Sequence, residues 1–135
     1  MKLEEQVTSL ELSKRLKELG FKQESLFYIV EQYGNIPVIN GTSFVGLNYS
    51  ILTGLAIQDL DIKETTFRCY SAYTVSELGE MLPKGVIIEN YKGKEDYWNL
   101  RLDNEDNSKS CSMGELNLAN AMAKMLIYLK ENNLI

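Results

Sequence analysis

The chain contains no histidine. That excludes Ser-His and Cys-His nucleophile pairs, imidazole as a general base, and most catalytic zinc sites. Cysteine is scarce: Cys69 and Cys111 stand far apart, form no metal or redox spacing, and are expected to be reduced thiols. Long apolar runs are missing too, none approaching the ~20 residues of a membrane helix, so no membrane partner is expected. The opening Met1-Lys2-Leu3-Glu4-Glu5-Gln6 lacks the apolar region of a secretory signal, which makes the cytoplasm the expected setting. Positive charge is in deficit, with 14 Lys and Arg against 19 Asp and Glu and a net charge of −5. Such a balance opposes non-specific binding to phosphate backbones. The best basic cluster, Lys14, Arg15, Lys17 and Lys22, is interleaved with Glu11 and Glu18 and reads as a solvated helix face.

What is present fits one domain over residues 1–135, large enough to bury a core without disulfides or metal. A helix-start pattern, a hydroxyl followed three residues later by Glu, occurs at Thr8-Ser9-Leu10-Glu11, Thr74-Val75-Ser76-Glu77 and Ser112-Met113-Gly114-Glu115. The hydroxyl accepts from the backbone N–H three residues on, and the Glu reaches back to the cap's own N–H. The first helix is predicted over residues 9–19, stopping at Gly20, with Leu12, Leu16 and Leu19 on one stripe. The second carries Val75, Leu78, Met81 and Leu82 on one face and ends at Pro83. The third is predicted from Gly114 to Asn132, and its apolar band, including Leu118, Met122, Met125, Leu126, Ile127 and Leu129, covers nearly half its circumference.

Between the helices the pattern turns β-like. Residues 26–30 favour a strand, with Gly34-Asn35 as a turn and residues 36–39 returning beside it, at an edge because of Pro37. Residues 65–73, 86–88 and 98–102 read as further strands, Trp98, Leu100 and Leu102 alternating with Asn99 and Arg101. Residues 43–49 read as a candidate strand, and residues 51–60 as either a short helix or a strand. The expected fold is α+β: a small, mostly antiparallel sheet with three helices, at least two packed on one face.

Candidate chemistry is thin. Gly41, Gly46 and Gly54 match no phosphate loop, and no cofactor is implied. The run from Asp103 to Asn107 suggests a calcium loop, but Ser108 and Gly114 stand where Gly and Glu are needed. Glu77 and Glu80 lie one turn apart, yet Glu77 has a capping task. Cys69 beside Arg68 reads as a buried, inert thiol, and Cys111 as a loop thiol. No catalytic constellation emerges, and the chain is not expected to be an enzyme. The eight tyrosines and one tryptophan are the best binding material. Trp98 is most simply core. Tyr28, Tyr33 and Tyr97, on or beside strands, are the candidate contact residues, joined by Ile127 on the outer side of the last helix's apolar band.

Three phrases in this order carry a resemblance. They are Thr8-Ser9-Leu10-Glu11-Leu12-Ser13-Lys14-Arg15-Leu16-Lys17-Glu18-Leu19-Gly20, followed by Lys22-Gln23-Glu24-Ser25-Leu26-Phe27-Tyr28; then Ser71-Ala72-Tyr73-Thr74-Val75-Ser76-Glu77-Leu78-Gly79-Glu80-Met81-Leu82-Pro83; and Ala119-Asn120-Ala121-Met122-Ala123-Lys124-Met125-Leu126-Ile127-Tyr128-Leu129. Together they resemble a family of small proteins encoded in prophages and other mobile elements of gut bacteria. The resemblance implies an accessory role and transfers no activity or site residue. The functional expectation is a non-catalytic protein-interaction module with an unidentified protein partner, a homo-oligomer being one form of it. The alternative is a small nucleic-acid-associated accessory protein that binds single strands or a replication complex through its sheet.

Overall fold

The computed structural model describes residues 2–32, 49–53, 67–93, 97–102 and 112–135. Over these residues the fold is α+β, and the strands are divided between two antiparallel sheets. Ser9 opens α1 (Leu10–Glu18), its hydroxyl accepting from the Leu12 N–H at 3.4 Å. The cap sits one residue beyond the expected Thr8, because Thr8 is drawn inward to bond Ser13 and Tyr73. Gly20, at φ +87°, ends the helix in a left-handed turn. There Phe21 N–H donates to Leu16 O and Gly20 N–H to Lys17 O, satisfying two terminal carbonyls.

The first sheet has β1 (Phe27–Gln32) at its centre, between β2 (Tyr49–Thr53) and β3 (Phe67–Ala72). The return strand expected at 36–39 lies outside the described residues, and both sides of β1 are already taken by β2 and β3. The outer edge of β3 is closed by α1 and its flanks. Lys17 Nζ donates to Cys69 O at 3.1 Å, and Gln23 Oε1 accepts from Ser71 N–H at 2.9 Å. Beyond the strand's end, Thr8 exchanges two bonds with the Tyr73 backbone. A covered edge cannot take another strand, so the chain starts a second sheet after α2.

That helix, α2 (Val75–Met81), begins at the predicted box: Thr74 Oγ1 accepts from Glu77 N–H at 3.3 Å, and Glu77 Oε2 accepts from Thr74 N–H at 2.8 Å. It stops where Leu82 turns extended before Pro83, as a residue preceding proline tends to. The second sheet is a meander of β4 (Val86–Tyr91), β5 (Tyr97–Leu102) and β6 (Ser112–Glu115). Here the third helix start is corrected. Ser112–Glu115 is a strand paired with β5, and α3 (Leu118–Glu131) begins at Asn117, whose Oδ1 accepts from Asn120 N–H at 3.2 Å. Pairing with β5 outweighs the local box, whose helix would have opened with Gly114 in its first turn. Asn133, at φ +55°, closes α3 as Gly20 closes α1.

α3 packs against α1, α2, β5 and β6. Its Ala119, Met122, Met125, Leu126 and Leu129 join Leu16, Leu78, Leu100 and Leu102 in the main core. A smaller cluster, Val7, Ile29 and Ala72, fills the first sheet. The breadth of the apolar band on α3 is therefore used inside the chain.

Candidate functional site

Of the four residues singled out as contacts in the sequence, the three that are described lie on different elements. Tyr28 is half-buried, its hydroxyl accepting from Ser25 N–H at 3.3 Å and donating to Gln23 O at 3.4 Å, so it fastens the segment that leads into β1. Tyr33 lies outside the described residues. Tyr97 is exposed at the start of β5, opposite exposed Tyr91 on β4. Ile127 is half-buried and packs against the main core. On the outer face of the second sheet, Tyr91 donates to Glu89 at 2.9 Å and Arg101 Nε to the same carboxylate at 3.4 Å. The Tyr91 hydroxyl first, and the Arg101 charge after it, hold the Glu89 carboxyl below its usual range.

The basic cluster of α1 is engaged within the chain. Arg15 pairs with Glu131 at 2.7 Å and Glu18 at 3.1 Å, and Lys22 with Glu24 at 2.9 Å. Lys14 and Lys17 sit 5.7 and 5.2 Å from the centre of the Tyr70 ring. Cys69 is half-buried, and burial pushes its thiol up while Lys17 opposes that. The loop thiol Cys111 and the Asp103–Asn107 run lie outside the described residues. Glu77 is committed to its cap. Among the described residues no group of three or more Cys, Asp and Glu could hold a metal ion, and no helix is long and apolar enough to cross a membrane.

What the fold does assemble is a cleft of about 570 Å³, lined from both sheets and from the starts of two helices. Phe27 comes from the first residue of β1 and Trp98 from β5. Thr74, Val75 and Ser76 come from the start of α2, and Leu116, Asn117 and Leu118 from the approach to α3. Glu5 and Gln6 of the N-terminal segment complete the wall.

Three ties hold these walls in place. Glu77 Oε1 accepts from Leu26 N–H at 2.9 Å, joining the start of β1 to α2. Asn117 Nδ2 donates to Glu4 O at 3.2 Å and Val7 O at 3.4 Å, joining the N-terminal segment to α3. A β-bridge between Val7 and Thr74 joins that segment to α2. Leu116 is 56% exposed, a large apolar side chain left in water beside an apolar recess. Trp98 packs against the core and lines the cleft, so the core assignment covers half of its role.

Volume and lining suit the reception of an apolar or amphipathic group. The described lining is drawn from five separate stretches of sequence, none with a chemical motif. Trp98 stood out as the sole tryptophan and Thr74 as a helix cap, while Val75 and Leu118 read only as apolar helix positions. No family model, curated protein or solved structure matches the chain.

Proposed function

We propose that this protein is a non-catalytic accessory module, of the kind mobile elements carry, that binds a protein partner in the cytoplasm by receiving an anchoring side chain in this cleft. The observation that carries the reading is an apolar recess with an exposed leucine on it. Val75, Trp98, Leu116 and Leu118 offer apolar area without a reacting group among them, and Leu116 is more than half exposed. Buried aromatic anchors in pockets dominate many protein interfaces. The walls are tied before any partner arrives, which lowers the ordering cost of binding.

The test is affinity capture of tagged wild type and Leu116→Asp, with half of each sample nuclease-treated. A stoichiometric protein that survives nuclease and is lost from Leu116→Asp supports the reading. Equal capture by the two chains moves the interface elsewhere.

The nucleic-acid reading has one observation in its favour, the exposed Tyr91–Tyr97 pair with Arg101 on the same outer face. Glu89, bonded to both Tyr91 and Arg101, places a carboxylate in that face and opposes phosphate. Partners lost on nuclease treatment, with a salt-sensitive affinity for single strands, would favour it.

A further inference from the structure

Among the described residues ten line the cleft, and Glu5 is the only one of these with a formal charge. No Lys or Arg is among these ten, and two of the other nine are the aromatic residues Phe27 and Trp98. Aromatic faces attract cations, Trp most strongly. A carboxylate accepts several hydrogen bonds, so the one that Glu5 Oε2 already receives from Lys2 N–H leaves acceptor capacity. Val75, Leu116 and Leu118 supply apolar surface for a hydrocarbon stem. An apolar stem ending in a cation describes a Lys or Arg side chain. Elsewhere the same chain already pairs these groups, with Lys14 and Lys17 both over Tyr70.

We propose that the cleft recognises a basic segment of the partner protein, laying a Lys or Arg stem along Val75, Leu116 and Leu118, with Trp98 and Phe27 beside it and Glu5 as counter-charge. The inference rests on the reading of the cleft as the partner site and adds the chemistry of the occupant. An acidic segment is disfavoured, because it would meet the like charge of Glu5 with no Lys or Arg among the described lining residues. At the helix starts beside the cleft, the Glu77 and Asn120 N–H groups are taken by Thr74 and Asn117. The net charge of −5 adds long-range attraction for a basic partner and salt dependence to the association rate.

Trp98 is the only tryptophan, so emission excited at the red edge, where the eight tyrosines absorb little, reports on the cleft. The experiment titrates the full chain with three capped hexapeptides that alternate leucine with a variable residue: arginine, glutamine or glutamate. The expected result is a saturable change in Trp98 emission with the arginine peptide, weakened up to about 5-fold in Glu5→Gln and by added salt. The glutamine and glutamate peptides bind more weakly. Glu5→Lys, its fold checked by circular dichroism, should reverse the order and favour the glutamate peptide. Equal binding of the arginine and glutamine peptides, with no effect of Glu5→Gln, overturns the proposal while leaving an apolar anchor in the cleft. Absence of any emission change also overturns it. Failure of the underlying reading shows separately, as partner capture indifferent to Leu116→Asp.

Discussion

Thr8 and Tyr73, separated by 65 positions, exchange two hydrogen bonds: Thr8 N–H donates to Tyr73 O at 3.0 Å, and Tyr73 N–H donates to Thr8 Oγ1 at 3.1 Å. Thr8 Oγ1 also bonds Ser13 Oγ at 2.7 Å, and all of it is buried. This joint fixes the entry to α1 against the exit of β3. Thr8→Val should lose about 1–3 kcal/mol in urea unfolding, because the Tyr73 N–H is left buried without an acceptor. Thr8→Ser keeps an acceptor and should lose less.

Leu126 is fully buried among α3's core neighbours, whereas Arg15 and Glu131 form an ion pair with both side chains over 40% exposed. Leu126→Ala should cost about 2–5 kcal/mol by cavity formation. Arg15→Ala should cost far less than Leu126→Ala, since solvent screens an exposed pair. Comparable losses from the two would reverse this ranking of packing over surface charge.

Gly79 stands inside α2 with space beside it: a Cβ there would meet Met122 Cε at 3.6 Å, an ordinary contact. Gly79→Ala should therefore stabilise by about 0.4–1 kcal/mol, by restricting the unfolded chain and filling a helical position. A fall in the melting temperature would mean that the α2–α3 contact is tighter than this spacing indicates.

The Tyr73 hydroxyl donates to Lys22 O and accepts from Gln23 Nε2, and burial raises its pKa above the ordinary 10.0. A raised folded-state pKa gives stability that is complete below the unfolded value and is lost as pH rises through the folded one. Cys69, raised above 9.0 by burial, acts in the same direction. Urea stability should therefore decline from about pH 9 upward. Tyr73→Phe should lower stability at pH 7 and flatten the alkaline decline. An unchanged slope in that variant would assign the decline to other groups.

How much of this was legible in the sequence differs from element to element. The α2 box was complete in four residues, because both partners of each bond are local. At Thr8 the same pattern was displaced by one residue, since its hydroxyl had a better partner in Tyr73, far along the chain. At Ser112 the pattern failed altogether, because β5 offered a ladder that no local rule records. The division into two sheets follows from side chains of α1 and its flanks covering β3, a tertiary fact with no sequence period.

The site was the least legible part. Tyr28 and Ile127 read as contact residues by type; half-buried, Tyr28 bonds Gln23 and Ser25, and Ile127 packs against the core. Phe27, adjacent to Tyr28, is the aromatic residue that reaches the cleft. Strand alternation separates neighbours onto opposite faces, but which face meets a recess depends on elements that arrive later in the chain.

The most direct test of the account is a photo-cross-linking amino acid placed at position 116, on the cleft, and in a second chain at position 84, exposed but not part of it. Both chains are irradiated in their native host. The account predicts a discrete protein adduct from position 116 that is absent from position 84 and untouched by nuclease. Adducts of equal yield from the two positions, or adducts to nucleic acid alone, would contradict it.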